Sequence, residues 1–216
     1  DQVFNEWEKF FSLPEKEKSK YLFKRDFDTV QSGFFPQEIS ETAKGFTAKD
    51  LKEFFHYYPC AGSLPERIGP ATQKLRHELI TMAEVLLSWL EEGLPIAIKQ
   101  QLTTSLSKMV DKQYQTLLRI LHYPPLKEDY PQGSVRAAAH EDINLITLLL
   151  SPSDPGLQAF DREGVWHDVP CQKNTITINI GDMLQECSQN YYLATKHRVI
   201  NPEGQASHKS RYSIPL

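Results

Sequence analysis

The chain has 216 residues and a formal net charge of −4, with 24% charged and 40% apolar residues. A chain of this length can bury one good core, so we expect one structural unit. The acidic balance argues against a nucleic-acid binder, and no apolar run reaches the roughly 18 residues that span a bilayer. Cys60, Cys171 and Cys187 form no CxxC pair, which argues against a disulfide framework and favours a reducing compartment. We therefore expect a cytoplasmic protein that is a monomer and binds neither nucleic acid nor membranes.

The first half of the chain is predicted to be mostly helical. Apolar residues at helical spacing predict a helix over 3–11, and a proline at its first position favours a second helix over 14–21. The leucine-rich pattern over 70–94 predicts a long amphipathic helix, and a less regular helix is expected over 97–110. Residues 22–60 predict irregular structure, with an aromatic cluster that either seals the core or forms a pocket wall.

From residue 114 the pattern changes to short β-rich segments separated by turn residues. Helices followed by an antiparallel run predict an α+β, mainly β fold, either a β-sandwich or a jelly roll with helices outside. We expect a helical N-terminal region at 1–113 that packs on a jelly-roll core at 114–216, the two forming one structural unit.

A candidate metal site is centred on the sequence His140-Glu141-Asp142. In an extended strand the first and third of these residues point to the same face, while Glu141 turns away. One imidazole and one carboxylate are two thirds of the facial triad that holds non-haem iron. His197, on a separate predicted strand, is the candidate third ligand. Zinc can bind the same three ligands, so a zinc-dependent hydrolase is an alternative.

A second constellation, Arg211 and Ser213 on the last predicted strand, repeats the same spacing. A guanidinium and a hydroxyl on one face form a good receptor for a carboxylate. Burying the arginine without an anionic partner would be unfavourable, so either a carboxylate ligand or an acidic side chain of the protein is expected nearby.

Several motifs occur in an order that resembles one enzyme family, the isopenicillin N synthase-like branch of iron(II)/2-oxoglutarate-dependent oxygenases. They are HEDINLITLLL from His140, GLQ from Gly156, WHDVP from Trp166, INIGDML from Ile178, NYY from Asn190, KHRV from Lys196 and RYS from Arg211. Segments before His140, such as DLKEFF from Asp50 and HYPP from His122, are also similar, so the resemblance covers nearly the whole chain.

The resemblance implies a double-stranded β-helix, which is a jelly roll, braced by helices. It implies that His140, Asp142 and His197 bind Fe(II), and that Arg211 and Ser213 hold the distal carboxylate of the cosubstrate 2-oxoglutarate. The implied reaction uses O2 to hydroxylate or otherwise oxidise a small organic molecule, with release of succinate and CO2. Relatives in this family also have further strands and a helix beyond both ends of this sequence.

The resemblance assigns other residues by position. Tyr123 matches a tyrosine that contacts cosubstrate or substrate carboxylates, although the asparagine that often lies two residues earlier is Leu121 here. A normal core role would explain the tyrosine equally well. The predicted substrate pocket wall consists of Gln31, Phe34, Phe35 and Phe55.

An oxidase like isopenicillin N synthase itself, which works without 2-oxoglutarate, is a further alternative. Its tripeptide-binding arginine and serine align with Gln31 and Leu117 here, which argues against that substrate. A non-catalytic jelly-roll binding module is the remaining class.

Overall fold

The computed structural model describes residues 1–24, 30–40, 49–61, 64–110, 115–127, 130 and 133–216. Its helices are α1 (Gln2–Phe11), α2 (Glu15–Lys18), α3 (Pro70–Glu92), α4 (Ile96–Lys99) and α5 (Asp182–Cys187). Short 3₁₀ turns occur at Ser19–Tyr21, Gln37–Ile39, Leu106–Met109 and Gly204–His208. No helix within the described ranges is both long and apolar enough to cross a membrane.

The long helix predicted over 70–94 is present as α3, with Pro70 at its first turn and Gly93 at its end. The helix predicted over 97–110 is wrong as a continuous element, because only α4 and one 3₁₀ turn form there. Thr103, Thr104 and Ser105 separate these two pieces, and such side chains compete with helical backbone hydrogen bonds. The side chain of Glu91 instead accepts a hydrogen bond from the amide of Leu106 at 2.7 Å.

The strands form two main antiparallel groups. The first sheet has the order β1 (Gly33–Phe35), β2 (Glu53–Tyr57), β3 (Leu118–Tyr123) and β10 (Arg211–Ser213). The second sheet has the order β4 (Ala137–His140), β9 (His197–Val199), β6 (Leu157–Phe160) and β7 (Trp166–Asp168).

A further antiparallel pair, β5 (Ile146–Leu150) and β8 (Ile176–Ile180), adjoins the first sheet. The chain after β10 makes this connection. The amide of Arg119 donates to the carbonyl of Pro215 at 2.9 Å, while Leu148 and Leu216 exchange two backbone hydrogen bonds of 3.0 Å. We refer to the first sheet with β5 and β8 as the large sheet, and to the second as the small sheet.

Alternate residues of the large sheet face two different partners. One side packs under the helices, in a cluster that includes Trp7, Phe10, Phe11, Phe34, Phe55, Ile120, Leu148 and Tyr212. The other side meets the small sheet, in a cluster that consists of Phe35, Phe54, Leu121, Tyr123, Ala137, Leu157 and Val199. We call this second side the interior face. Because both faces are buried, β2 has no exposed residue, and its sequence lacks the polar alternation of a one-sided strand.

The observed strands correct two expectations about the first half of the chain. Residues 22–60 are not wholly irregular, because β1 and β2 lie there. The predicted N-terminal region 1–113 is not only helical either. Five residues of β2 pair with β3, so the expected boundary at 113/114 falls within a region whose strands share one sheet.

Candidate functional site

Three potential metal ligands converge at one end of the interior face. One ligand atom each from His140, Asp142 and His197 lies within 4.8 Å of the others. Asp142 Oδ1 is 3.7 Å from Nε2 of His140 and 3.8 Å from Nε2 of His197. The side chains of all three residues are partly buried, and His140 and His197 face each other across the β4–β9 pair. The arrangement offers two imidazole nitrogens and one carboxylate oxygen to a single ion.

Asp142 does not share a strand with His140, contrary to the expectation from the sequence. His140 is the last residue of β4, and Asp142 lies in the loop that follows it rather than on the strand. This loop is held by the start of α5. The amide of Asp182 donates to the carbonyl of Asp142 at 2.7 Å, and the amide of Met183 donates to the carbonyl of Ile143 at 3.2 Å. Contacts from a distant segment therefore orient the carboxylate.

Both histidines are held in the tautomer that a metal requires. Nδ1 of His140 is 2.7 Å from the carbonyl of Ala138, and Nδ1 of His197 is 3.0 Å from the carbonyl of Thr195. A carbonyl can only accept, so each Nδ1 carries the proton and each Nε2 presents a lone pair towards Asp142. Burial, the largest influence, lowers the pKa of His140, and the nearby imidazole of His197 lowers it further. A neutral imidazole is the ligand form.

Asp142 is held in its charged form with one oxygen left for a cation. Its Oδ2 accepts hydrogen bonds from Thr147 Oγ1 at 2.7 Å and Asn179 Nδ2 at 3.0 Å. Asn144 supports this pair by donating to Thr147 Oγ1 at 2.8 Å. Burial acts to raise the pKa of Asp142, but His197 and the two hydrogen bonds outweigh it, and the pKa is lowered.

The residues that support Asp142 were not predicted from the sequence. Thr147 and Asn179 lie opposite each other in the register of β5 and β8, and both project to the interior face. They fall inside the motifs HEDINLIT and INIGDML, so the motifs contained the signal but not the roles.

Arg211 is buried in the interior, and no carboxylate of the described residues forms a salt bridge with it. It is 1% exposed, and its Nε donates to the carbonyls of Asp154 and Pro155 at 2.9 and 3.2 Å. Both Nη1 and Nη2 are buried, and among the described residues neither has a hydrogen-bond partner of normal geometry. Burial, the largest influence, lowers the pKa of this guanidinium, whereas the Tyr123 phenol acts to raise it. Two donor groups with no partner in a buried site are suited to an acidic ligand.

Ser213 and Tyr123 accompany Arg211 on the same part of the large sheet. Arg211 pairs with Tyr123 and Ser213 pairs with Leu121 in the β3–β10 register. The guanidinium lies over the Tyr123 ring, 5.1 Å from its centroid. Ser213 is 3% exposed and, two residues along the strand, shares the face of Arg211.

The four predicted pocket residues do not lie together. Phe35 faces the interior and stacks on Phe54, with ring centroids 4.7 Å apart. Phe34 and Phe55 are a correction: they pack among the aromatic rings of α1 on the helix-facing side, and each is at most 2% exposed. They cannot line a pocket on the interior face. Gln31 is exposed, and its carbonyl oxygen lies 2.9 Å from Nδ1 of His56.

Comparison with known proteins gives matches over the whole chain. The family described as the 2OG-Fe(II) oxygenase superfamily matches residues 114–216. A solved structure from Shewanella oneidensis, named for an inferred oxygenase function, has a TM-score of 0.84 and 47% identity, covering 100% of this chain and 75% of that one. A structure from Caulobacter crescentus, named for inferred membership of the 2OG-Fe(II) oxygenase family, has a TM-score of 0.76 and 33% identity, covering 100% and 71%.

A curated relative, a 2-oxoglutarate-dependent dioxygenase of Monascus ruber, is 31% identical over 218 residues. The match covers 92% of this chain and 65% of that relative, so the chain spans about two thirds of its length.

Proposed function

This chain belongs to the 2OG-Fe(II) oxygenase superfamily, and we propose that it is an iron(II)- and 2-oxoglutarate-dependent dioxygenase that oxidises a small organic molecule. One observation carries the proposal beyond family membership. The space between the two sheets contains two kinds of ligand-binding group. One is the set of Nε2 atoms of His140 and His197 with a carboxylate oxygen of Asp142, and the other is the buried guanidinium of Arg211. The first set suits a metal ion, and the guanidinium suits an acidic cosubstrate.

Iron(II) fits the three proposed ligands His140, Asp142 and His197. Two neutral imidazoles and one carboxylate are the donor set of non-haem iron oxygenases, and a ligand set on one face leaves other coordination positions open. Bound iron(II) supplies the centre at which O2 and a 2-oxo acid react, giving succinate, CO2 and an oxidised substrate. The chain contributes ligand orientation, through the Nδ1 hydrogen bonds of the histidines and the donors to Asp142.

We assign Arg211 and Ser213 to the distal carboxylate of 2-oxoglutarate. The two Nη atoms of the arginine could pair with both carboxylate oxygens in a bidentate hydrogen bond. The carbonyls of Asp154 and Pro155 hold the Nε side, so the guanidinium is oriented before the ligand arrives. Tyr123 lies against the guanidinium and is proposed to support the same carboxylate. Pre-oriented donors reduce the entropy lost on binding.

For the substrate we propose a small organic molecule that contacts an aromatic wall. Of the predicted aromatic residues only Phe35 is retained for this wall, because it faces the interior, and Phe54, which stacks on it, is added. Gln31, two residues before β1, is retained, whereas Phe34 and Phe55 are not, because they are buried against α1. An apolar or planar substrate would suit such rings.

We also propose that the two opposed sheets form a jelly roll, with 1–113 and 114–216 acting as one structural unit. The packing of the large sheet on the small sheet supports this description. A cytoplasmic location is proposed from cysteine usage, since three cysteines without a disulfide are compatible with a reducing compartment, and a monomer is proposed as well.

The decisive experiment is anaerobic addition of 2-oxoglutarate to the iron(II)-loaded protein, followed by admission of O2. We expect a visible charge-transfer band on mixing, which zinc cannot give, and then succinate, including slow uncoupled turnover without a substrate. A substrate-library screen read out by succinate would then identify the oxidised class.

Arg211→Met should abolish the 2-oxoglutarate-dependent band, since it removes the carboxylate donors. Glu141→Gln is the matched control, because Glu141 is exposed, adjoins both proposed metal ligands and is not proposed to bind iron. A band that persists unchanged in Arg211→Met, or a wild-type protein that never releases succinate, would refute the proposed function. Consumption of O2 without 2-oxoglutarate would favour an oxidase of the isopenicillin N synthase type.

A further inference from the structure

A second buried guanidinium, that of Arg136, lies near the proposed cosubstrate site. Arg136 immediately precedes β4 and is 2% exposed. Its amide donates to Asn201 Oδ1 at 2.9 Å, and its Nη2 donates to the carbonyl of Lys209 at 2.9 Å. Its Nε is buried, and no hydrogen-bond partner for it occurs in the part of the chain that the structure describes. No acidic side chain of the described residues forms a salt bridge with Arg136 or Arg211.

The two guanidiniums share their surroundings. Lys209, whose carbonyl holds Arg136, lies two residues before Arg211 in the chain. Arg136 also lines a cavity of about 400 Å³ together with Asp154 and Pro155, whose carbonyls hold Nε of Arg211. The charge of Arg211 also reaches Arg136, because burial is the largest influence that lowers the pKa of Arg136 and the charge of Arg211 is the second.

Two like charges in a buried region repel each other, and each loses hydration on folding. Asp154 lies close enough to favour both charged forms, but it forms no salt bridge with either and supplies one negative charge for two positive ones. The arrangement is therefore one positive charge in excess until an anion enters. A ligand with a carboxylate at this point would gain from both guanidiniums, since Coulomb attraction in a partly buried site extends beyond direct contact.

We propose that Arg136 is a second guanidinium of the cosubstrate pocket, acting by its charge to make the pocket selective for 2-oxo acids that carry a distal carboxylate. This inference rests on the proposed function. Arg211 holds the carboxylate directly, whereas Arg136 raises the positive potential around it. A 2-oxo acid of the same length that ends in a methyl group has no carboxylate beside these two charges, because its single carboxylate lies at the iron-chelating end.

The test compares two ligands by anaerobic equilibrium titration of the iron(II)-loaded protein, with the charge-transfer band as the readout. 2-Oxoglutarate and 2-oxopentanoate have the same chain length and the same iron-chelating end, but only the first has a distal carboxylate. In Arg136→Gln, which keeps an amide donor for Lys209, we expect the Kd of 2-oxoglutarate to rise about tenfold, equivalent to about 1.4 kcal/mol. The Kd of 2-oxopentanoate should change less than about twofold, because the lost charge has no partner on it.

Two further variants separate charge from structure. Arg136→Lys keeps the positive charge and should retain most of the preference for 2-oxoglutarate, so it provides the test if the glutamine variant folds poorly. Lys209→Gln removes an exposed positive charge from the same cavity wall, while its backbone carbonyl still accepts from Arg136. It should leave both Kd values within about twofold, since exposed charges are screened.

The inference is overturned if Arg136→Gln binds 2-oxoglutarate as the wild type does. It is also overturned if both 2-oxo acids weaken equally, which would indicate a structural role, or if the lysine variant loses the preference fully. A wild-type protein that binds neither 2-oxo acid would instead refute the proposed function, so the two failures are distinguishable.

Discussion

A methyl group at Gly181 is predicted to disturb the proposed metal site, although Gly181 binds no metal. A Cβ at this position would lie 2.2 Å from the carbonyl oxygen of Asn144, 2.5 Å from its Oδ1 and 2.7 Å from the carbonyl oxygen of Asp142. Two of these three atoms belong to the backbone, so side-chain rotation cannot relieve the overlap. The backbone at Gly181 has φ −107° and ψ 175°, which any residue can adopt. Glycine is therefore needed at this position because a side chain would have no space.

The size of the effect follows from that overlap. To restore 3.0 Å, below which real Cβ contacts essentially do not occur, the Asn144 carbonyl must move by about 0.8 Å. Overpacking of this kind destabilises by about 1–3 kcal/mol, and the backbone overlaps favour the upper end. About 3 kcal/mol lowers the Tm of a domain of this size by about 6–12 °C. Because the same loop carries Asp142, iron(II) affinity should fall about 10–100-fold, the range for lost outer-shell support.

Thermal unfolding of metal-free Gly181→Ala and anaerobic iron(II) titration would measure the two effects. Gly204→Ala is the matched control: its φ of +58° makes alanine strained, but a Cβ there meets nothing within 4 Å. Backbone strain in Gly204→Ala should lower the free energy of unfolding by about 1 kcal/mol, and the iron(II) affinity should not change. Wild-type Tm and iron affinity in Gly181→Ala would refute the reasoning, as would equal losses of iron affinity in both variants.

Three further predictions concern charge and hydrogen bonding. Asn179→Leu removes a donor to Asp142 and should weaken iron(II) binding about tenfold in an anaerobic titration; unchanged affinity would remove Asn179 from the site. Glu53→Gln removes the buried negative charge that lies 2.7 Å from the ammonium of Lys18 and 2.7 Å from Nδ1 of His122, and leaves Lys18 only the exposed carboxylate of Glu15. It should lower the free energy of unfolding in urea by about 3 kcal/mol; a loss below about 1 kcal/mol would contradict this. The pKa of His140 is lowered from 6.5 in the folded protein, so the unfolded chain binds this proton more readily and the metal-free protein should lose stability as pH falls below about 6.5. In His140→Gln, the free energy of unfolding in urea should depend less steeply on pH between about pH 7 and pH 5. An unchanged pH dependence would show that His140 is not its source.

The sequence allowed prediction of which residues form the candidate metal site, but not of how they are held. The prediction that His140 and Asp142 share a strand was wrong, because β4 ends at His140. What places the carboxylate is the start of α5, whose amides bind the loop after β4 and whose preceding residue, Gly181, allows close approach. Such a contact joins distant segments and leaves no periodicity in either one. Local patterns therefore predicted the ligands, whereas the supporting geometry required the fold.

The direction of the aromatic side chains could not be predicted either. Adjacent phenylalanines occur at 34–35 and 54–55, and a strand must point one member of each pair to each face. In a sheet with one polar face, the alternation itself would reveal which side is the interior. Here α1 covers one face and the small sheet covers the other, so both faces are apolar. Only the position of α1 decides that Phe34 and Phe55 are structural and that Phe35 and Phe54 face the interior.

The balance of charge in the interior has a consequence for the order in which ligands bind. Apart from exposed side chains, the charged groups around the proposed metal and cosubstrate residues are three cations and three carboxylates: Lys52 with its partner Asp50, Arg136, Arg211, Asp142 and Asp154. Their formal charges cancel. Iron(II) alone would add two positive charges to this partly buried region, and 2-oxoglutarate alone would add two negative ones, whereas the two together leave it neutral. Each ligand should therefore bind more tightly when the other is present, and thermodynamic linkage requires the two factors to be equal.

Calorimetric titration of iron(II) with and without 2-oxoglutarate under argon measures that factor, which we expect to reach about tenfold, equivalent to about 1.4 kcal/mol. Equal iron affinity in both titrations would mean that the buried charges do not act on the ligands as the geometry indicates.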